Sequence, residues 1–142
     1  MPTPTDGGLL DTSVVILLSQ LRDASLLPAV PLISSITLAE LSVGPLVAQT
    51  DAERAARQVV LQQAEADFDP LPFDDRSARA FGRVAASLRT SGRTVKARSY
   101  DAMVAAIALA NDLPLYTANP SDFVGIDGLD VRVVPVPAPT ER

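Results

Sequence analysis

Residues 99–123 combine a helix pattern, a short apolar run and a polar turn, and this order constrains the fold of the whole chain. The alanine-rich first part predicts a helix slim enough to pack closely against a sheet. The apolar run 113–116 predicts a strand, and residues 117–122 predict a turn after its C-terminal end. This order is typical of an α/β domain, in which functional groups lie at strand ends and helix N-termini.

Apolar runs elsewhere in the chain extend this alternation. Residues 8–11 predict the first strand, which ends in Asp11, and residues 29–33 predict the second. Residues 131–134 predict a last edge strand, because the prolines that follow prevent a sheet from continuing. Strands separated by helices are most simply parallel, so we expect an α/β domain with a mainly parallel sheet.

Four further helices are predicted between or after these strands. Thr37 with Glu40, and Thr50 with Glu53, have the spacing of a capping box, in which a threonine caps the helix and a glutamate follows three residues later. The predicted helices start at Thr12, at about residue 38 (ending at 43), at Thr50 (ending at about 67) and at about residue 76 (ending at 91).

The length of 142 residues predicts one domain, 1–142, with flexible termini at residues 1–7 and 135–142. No apolar run approaches the roughly 20 residues of a membrane span. The first eight residues lack the basic start and apolar middle of a signal peptide. We therefore expect a soluble cytoplasmic protein without a membrane partner.

The chain contains neither histidine nor cysteine. A Ser-His-Asp triad, imidazole bases, histidine- or thiolate-bound zinc and disulfides are therefore excluded. Any hydrolytic chemistry must use carboxylates, hydroxyls, lysine, arginine or a hard metal ion.

The net charge of −5 argues against nonspecific nucleic-acid binding, which depends on basic side chains. The basic residues are, however, unevenly distributed along the chain. About half of them lie between residues 76 and 98. The loop before Asp101 carries Arg93, Lys96 and Arg98 without an acid among them. These three side chains are candidates for RNA phosphate contacts, with a solvated surface as the alternative.

Several acidic side chains follow predicted strands. Because the C-terminal ends of parallel strands share one edge, Asp11, Glu40 and either Asn119 or Asp122 are expected there. Asp101 joins them if its helix begins at that edge. Each of these residues also has a purely structural interpretation. Asp11 can be a helix cap and Glu40 part of a capping box. Asp101 is favoured in a first turn by the helix dipole, and Asn119 before a proline favours a turn.

Carboxylates gathered at one point repel each other, and a divalent cation removes that conflict. Oxygen ligands without histidine or cysteine select hard ions, so Mg²⁺ is expected, with Mn²⁺ as the alternative. Such an ion suits phosphodiester hydrolysis, because it activates a water molecule and screens the phosphate.

Four segments, spread in order over nearly the whole chain, carry a resemblance to a known family. They are LLDTS at 9–13, TLAELSVG at 37–44, YDAMVAA at 100–106 and LYTANPSDF at 115–123. With them the chain resembles a PIN-domain ribonuclease, specifically the VapC toxin of bacterial VapBC toxin–antitoxin pairs. The resemblance implies a three-layer α/β/α sandwich with a central, mainly parallel sheet of four to five short strands.

The resemblance also implies the roles of individual residues. Asp11 and Asp101 fall on the direct ligands of the family's acidic metal site, and Glu40 positions metal or water. The fourth acidic position falls on either Asn119 or Asp122. Supporting positions are Thr12, Ser13, Thr117 and Asn119.

The resemblance further implies an RNA substrate, a homodimer and a VapB-type antitoxin whose basic segment enters the acidic groove. Two alternatives stay open. The chain is a PIN-type nuclease for RNA processing or DNA cleavage without a toxin role, or it is a non-catalytic α/β binding module in which the acids are helix caps.

Overall fold

The computed structural model describes residues 6–137, and within this range the central sheet has four parallel strands in the order β2-β1-β3-β4. Leu9 of β1 pairs with Leu32 of β2 and with Leu115 of β3, so β1 and β3 are the inner strands. The strands are β1 Gly7–Leu10, β2 Val30–Leu32, β3 Leu115–Thr117 and β4 Val131–Val133. The predicted parallel sheet is confirmed.

Five helices connect or flank the strands of the described range: α1 Thr12–Leu17, α2 Ser35–Val43, α3 Asp51–Asp67, α4 Asp75–Thr90 and α5 Ser99–Ala110. Thr50 caps α3, as the sequence predicted, and Asp74 caps α4, which begins one residue before the predicted start. In the described part of the chain, no helix has the length and apolar character needed to cross a membrane.

The sheet separates two apolar cores, because successive side chains of a strand point to opposite faces. Leu9 packs with α4 and α5 on one face, while Leu10 packs with residues of α1, α2 and α3 on the other. Both leucines are completely buried, which explains the uninterrupted apolar run of the first strand. Helices on both faces give the expected three-layer α/β/α architecture.

The helix that carries Glu40 begins differently from the prediction. Ser34, not Thr37, is the N-cap of α2, and its Oγ accepts the Thr37 N–H at 3.0 Å. Thr37 lies inside the helix and is fully buried. The predicted capping box at Thr37 and Glu40 is therefore wrong, and the Glu40 carboxylate is not used to close a helix end.

The strand predicted at residues 113–116 begins two residues later. The Leu113 N–H donates to the Ala108 carbonyl at 2.9 Å, so Leu113 closes the end of α5 instead of starting β3. Asp112 between them has φ of 52°, the left-handed conformation found after helix ends. Of the termini expected to be flexible, residues 1–5 and 138–142 lie outside the described residues, and Gly7 belongs to β1.

Candidate active site

Asp11 lies where the inner strand β1 ends and α1 begins. It is the N-cap of α1, and its Oδ1 accepts the Val14 N–H at 3.1 Å. The side chain is nearly buried, with 6% of its surface exposed. The capping role is thus confirmed, but it occupies only one of the two carboxylate oxygens.

Two hydroxyl groups fix the Asp11 carboxylate from different elements. Ser13 donates to Oδ1 at 2.6 Å, and Thr117 at the end of β3 donates to Oδ2. Ser13 in turn accepts the Ala118 N–H at 3.0 Å. Burial raises the pKa of Asp11 above its ordinary value, and the bonds from Ser13, Thr117 and the Val14 N–H oppose that rise. The predicted supporting residues Ser13 and Thr117 therefore orient Asp11.

Thr12 positions Glu40 across the gap between α1 and α2. Its hydroxyl donates to Glu40 Oε1 at 2.8 Å and lies 3.1 Å from the Thr37 hydroxyl. A hydroxyl has one hydrogen, so the Thr12 O–H is shared between the Glu40 carboxylate, which is the closer acceptor, and the Thr37 hydroxyl. Burial raises the pKa of Glu40, the Thr12 bond lowers it, and the charge of Asp11 raises it. Glu40 thus lies within electrostatic range of Asp11.

Asp101 lies in the first turn of α5, among the other acids. Burial, followed by the charges of Asp122, Glu40 and Asp11, raises its pKa from 3.8 to about 6. The nearby Arg98 opposes this rise. Asp101 and Glu40 line one cleft, and Arg98 just before α5 is bonded to Asp122 in the turn after β3, so the start of α5 lies at the same edge of the sheet as the end of β3.

Asp122 and Asn119 occupy the turn after β3 in different ways. Asp122 forms an ion pair with Arg98, at 3.2 Å between Oδ1 and Nη1, and its charge acts on Asp101. Asn119 is exposed, and its backbone N–H donates to the Thr117 hydroxyl at 2.9 Å. The structure thus associates Asp122 with the acidic site and Asn119 with the backbone of the turn.

The donor set fits a hard divalent ion by its chemistry. The acids and the hydroxyls that bond them are oxygen donors, although the Arg98 guanidinium also lies beside Asp101 and Asp122. The charge conflict at Asp101 is what a cation relieves. In residues 6–137, however, no three acidic side chains come close enough together, as they stand, to hold an ion directly. That Asp11, Glu40 and Asp101 share one ion therefore stays a prediction.

The three cations predicted to contact phosphate lie near this edge but differ in their partners. Arg93 donates to the Ser121 carbonyl at 3.2 Å, while Arg98 is paired with Asp122. Lys96 and Arg98 line a cleft of about 440 Å³ beside Glu40. Their contact with RNA stays a prediction.

Two residues of this region were not foreseen from the sequence. The Thr37 hydroxyl contacts the Thr12 hydroxyl from inside α2. The sequence signal for this was Ser34, an equally good helix cap three residues earlier, which leaves the Thr37 side chain free for such a contact. Tyr100 lines the cleft and is 57% exposed, and its position beside Asp101 was the available signal.

Comparison with known proteins identifies the family of this chain. The sequence matches the PIN domain family over residues 9–129. It is 41% identical over 130 residues to "Ribonuclease VapC5" of Mycobacterium tuberculosis, covering 90% of this chain and 93% of that protein.

Solved structures of toxin–antitoxin systems have the same fold. The crystal structure of VapBC-5 from Mycobacterium tuberculosis matches with a TM-score of 0.77 at 39% identity, covering 92% of this chain and 99% of that one. DNA-bound VapBC from Salmonella typhimurium matches with a TM-score of 0.73 at 25% identity, covering 91% and 98%. The chain therefore belongs to the PIN-domain family and, within it, to the VapC proteins.

Proposed function

We propose that this protein is a Mg²⁺-dependent endoribonuclease, the toxin of a VapBC-type pair, and that Mn²⁺ can replace Mg²⁺. The observation that carries the proposal is the position of four acids at the C-terminal edge of a parallel sheet: Glu40 and Asp101 line one cleft, Asp11 is bonded to Thr117 at the end of β3, and Asp122 is bonded to Arg98 of that cleft. The raised pKa of Asp101 is consistent with a charge conflict among them. A buried charge conflict of this kind opposes folding, so a functional requirement for a cation explains why it is present. Membership of the VapC proteins supplies the reaction class.

Each acid has a distinct part in this proposal. Asp11 and Asp101 hold the ion, and Glu40 orients metal or water from α2. A bound Mg²⁺ would lower the pKa of a water molecule and polarise the scissile phosphate. Asp11 is fixed by Ser13 and Thr117, so its carboxylate is preorganised for binding.

We assign the fourth acidic position to Asp122. Its charge is the largest electrostatic contribution to the raised pKa of Asp101, whereas Asn119 is exposed and bonded through its backbone. Asp122 also holds Arg98 at the edge of the site, where a cation can face the phosphate of a substrate.

The decisive experiment replaces Asp11 or Asp101 by asparagine, which keeps the shape of the side chain and removes its charge. We expect either substitution to lower RNA cleavage by at least about 100-fold, because the metal contributes several kcal/mol to transition-state stabilisation. Growth inhibition on expression without the antitoxin should disappear in parallel.

Asp75→Asn is the matched control, since Asp75 is an exposed acid in the first turn of α4. It should cleave RNA like the unmodified protein. Full cleavage by Asp101→Asn would reject the site assignment. Cleavage without growth inhibition would favour a nuclease that lacks a toxin role.

We also propose a VapB-type antitoxin as the partner and a homodimer as the assembly. A groove of about 230 Å³ between α1 and α3 is lined in part by Val15, Ile16, Val60 and Phe68. Asp11 is the N-cap of α1, and Val15 of the groove follows it by four residues, a rise of about 6 Å along the helix axis. An apolar helix followed by a basic segment complements both features.

A further inference from the structure

Tyr100 is the one aromatic side chain of this protein that the structure leaves exposed. The chain has two tyrosines, four phenylalanines and no tryptophan, and all six aromatic residues lie within the described range. Tyr100 is 57% exposed, whereas the other five are buried or half-buried. Among the described residues, no partner forms a hydrogen bond to its hydroxyl group. A rigid aromatic ring is therefore available to a ligand.

Tyr100 is exposed at the cleft beside the acidic site. The ring lines the cleft of about 440 Å³ that opens beside the acidic site, a volume within the range of roughly 300–1,000 Å³ for ligand sites. Tyr100 lines the same cleft as Glu40 and Asp101, so a ligand on its ring lies in the cleft that these two carboxylates line. The cleft is lined by Glu40, Lys96, Arg98, Ser99, Tyr100 and Asp101.

The cleft also holds the positive charge that a polyanion needs at an acidic site. Lys96 is exposed and has no ion-pair partner among the described residues. The Arg98 guanidinium is held by Asp122 at 3.2 Å and is partly exposed. Two cations and an aromatic face in one cleft are the elements that bind single-stranded nucleic acid, in which the cations contact phosphates and the ring stacks on a base.

We propose that Tyr100 stacks on an unpaired nucleobase next to the scissile phosphate, while Lys96 and Arg98 contact the flanking phosphates. This inference rests on the proposed ribonuclease function and names the residue that positions its substrate. A base inside a duplex has both faces covered, so a ring can receive it only where the RNA is single-stranded. Because every base has such a face, Tyr100 selects unpaired RNA more than a particular sequence.

Steady-state cleavage of a short single-stranded RNA provides the first test. Tyr100→Leu should raise KM roughly 5- to 100-fold, because stacking is lost in the bound ground state as well as in the transition state. Its kcat should change by less than about threefold, and Tyr100→Phe should retain a KM within about twofold of the original. Val133→Ala, an equally exposed position at 57%, is the control and should leave both constants unchanged.

Binding without cleavage separates this inference from the function on which it rests. In an Asp11→Asn background, an RNA with 2-aminopurine beside the target phosphate should change its fluorescence on binding, and the same RNA in a duplex should not. Tyr100→Leu should abolish the change. If the unmodified protein cleaves no RNA but shows this Tyr100-dependent signal, the nuclease proposal fails and the stacking role stands.

Two results would overturn the role of Tyr100. One is equal KM and equal 2-aminopurine response in Tyr100→Leu and the original protein. The other is unchanged RNA binding together with weakened antitoxin binding, which would make Tyr100 a protein contact.

Discussion

Asp101 carries the largest charge conflict of the site, and this has a measurable cost in the metal-free protein. Burial and three neighbouring carboxylates raise its pKa to about 6, so Asp101 is still mostly charged at neutral pH, but this charge costs more free energy in the folded than in the unfolded protein. Asp101→Asn should stabilise the metal-free protein by about 1–2 kcal/mol at pH 8, a value reduced for the partial exposure of the side chain. Urea unfolding in EDTA measures this difference.

Metal addition should reverse the order of stability. In the proposed function Mg²⁺ binds the folded carboxylates and not the unfolded chain, so Mg²⁺ should stabilise the original protein more than Asp101→Asn. Asp75→Asn should unfold like the original protein in both conditions. A metal-free Asp101→Asn protein that is less stable than the original would show that the carboxylate has a structural role instead.

Single residues also show where sequence reasoning stops. The position of Asp11 followed from a strand that ends in an acid, and this required only local pattern. The chain of hydroxyls from Thr37 through Thr12 to Glu40 joins residues 25 and 28 positions apart in the sequence. The ion pair of Arg98 with Asp122 spans 24 positions. Such contacts depend on tertiary packing, which no local pattern encodes.

The N-terminus of α4 carries a second carboxylate with a shifted pKa, Asp74, which does not belong to the acidic site. Asp74 accepts bonds from the Ser77 N–H and the Ser77 hydroxyl, both at 2.9 Å, and these bonds hold its pKa below the ordinary value of 3.8. A carboxylate with a lowered pKa stabilises the fold above pH 3.8 and loses that contribution as the pH falls through its folded pKa.

Asp74→Ala should therefore lower the thermal midpoint at pH 7, and the difference from the original protein should shrink as the pH falls below about 3.8. Thermal unfolding followed by circular dichroism across pH 3 to 7 measures it. Asp75→Ala, one residue further on and without a capping bond, is the control. A constant difference over the whole range would show that the carboxylate charge does not contribute to the cap.

At the scale of elements, prediction succeeded where one local signal dominated. The cap Thr50 was correct, because a polar residue directly precedes a helical pattern there, and α5 begins at residue 99, where its pattern begins. The start of α2 was wrong because Ser34 and Thr37 are both good caps, and only burial of Thr37 decides between them. Leu113 was assigned to the strand because it is apolar, but an apolar residue can also follow the C-terminal end of a helix, as Leu113 does here.

The whole molecule combines an acidic charge of −5 with one edge at which its carboxylates converge. Parallel topology makes that convergence predictable, since strand C-terminal ends share an edge whatever the distances along the chain. The cleft beside it was not predictable, because its walls come from α2 and from the segment before α5. Their separation is set by packing over the sheet.

Antitoxin binding should depend on both the apolar groove and this charge. Ile16 in the groove is 48% exposed, so Ile16→Asp should lower antitoxin affinity at least about tenfold at every salt concentration by placing a charge in an apolar contact. Affinity of the original protein should fall as salt rises, because the basic antitoxin segment that we propose would face the acidic edge. Calorimetric titration with the antitoxin measures both effects, with Val133→Asp as the exposed control. Unchanged affinity of Ile16→Asp would place the antitoxin outside this groove, and a salt-independent affinity would show that the acidic edge does not attract it.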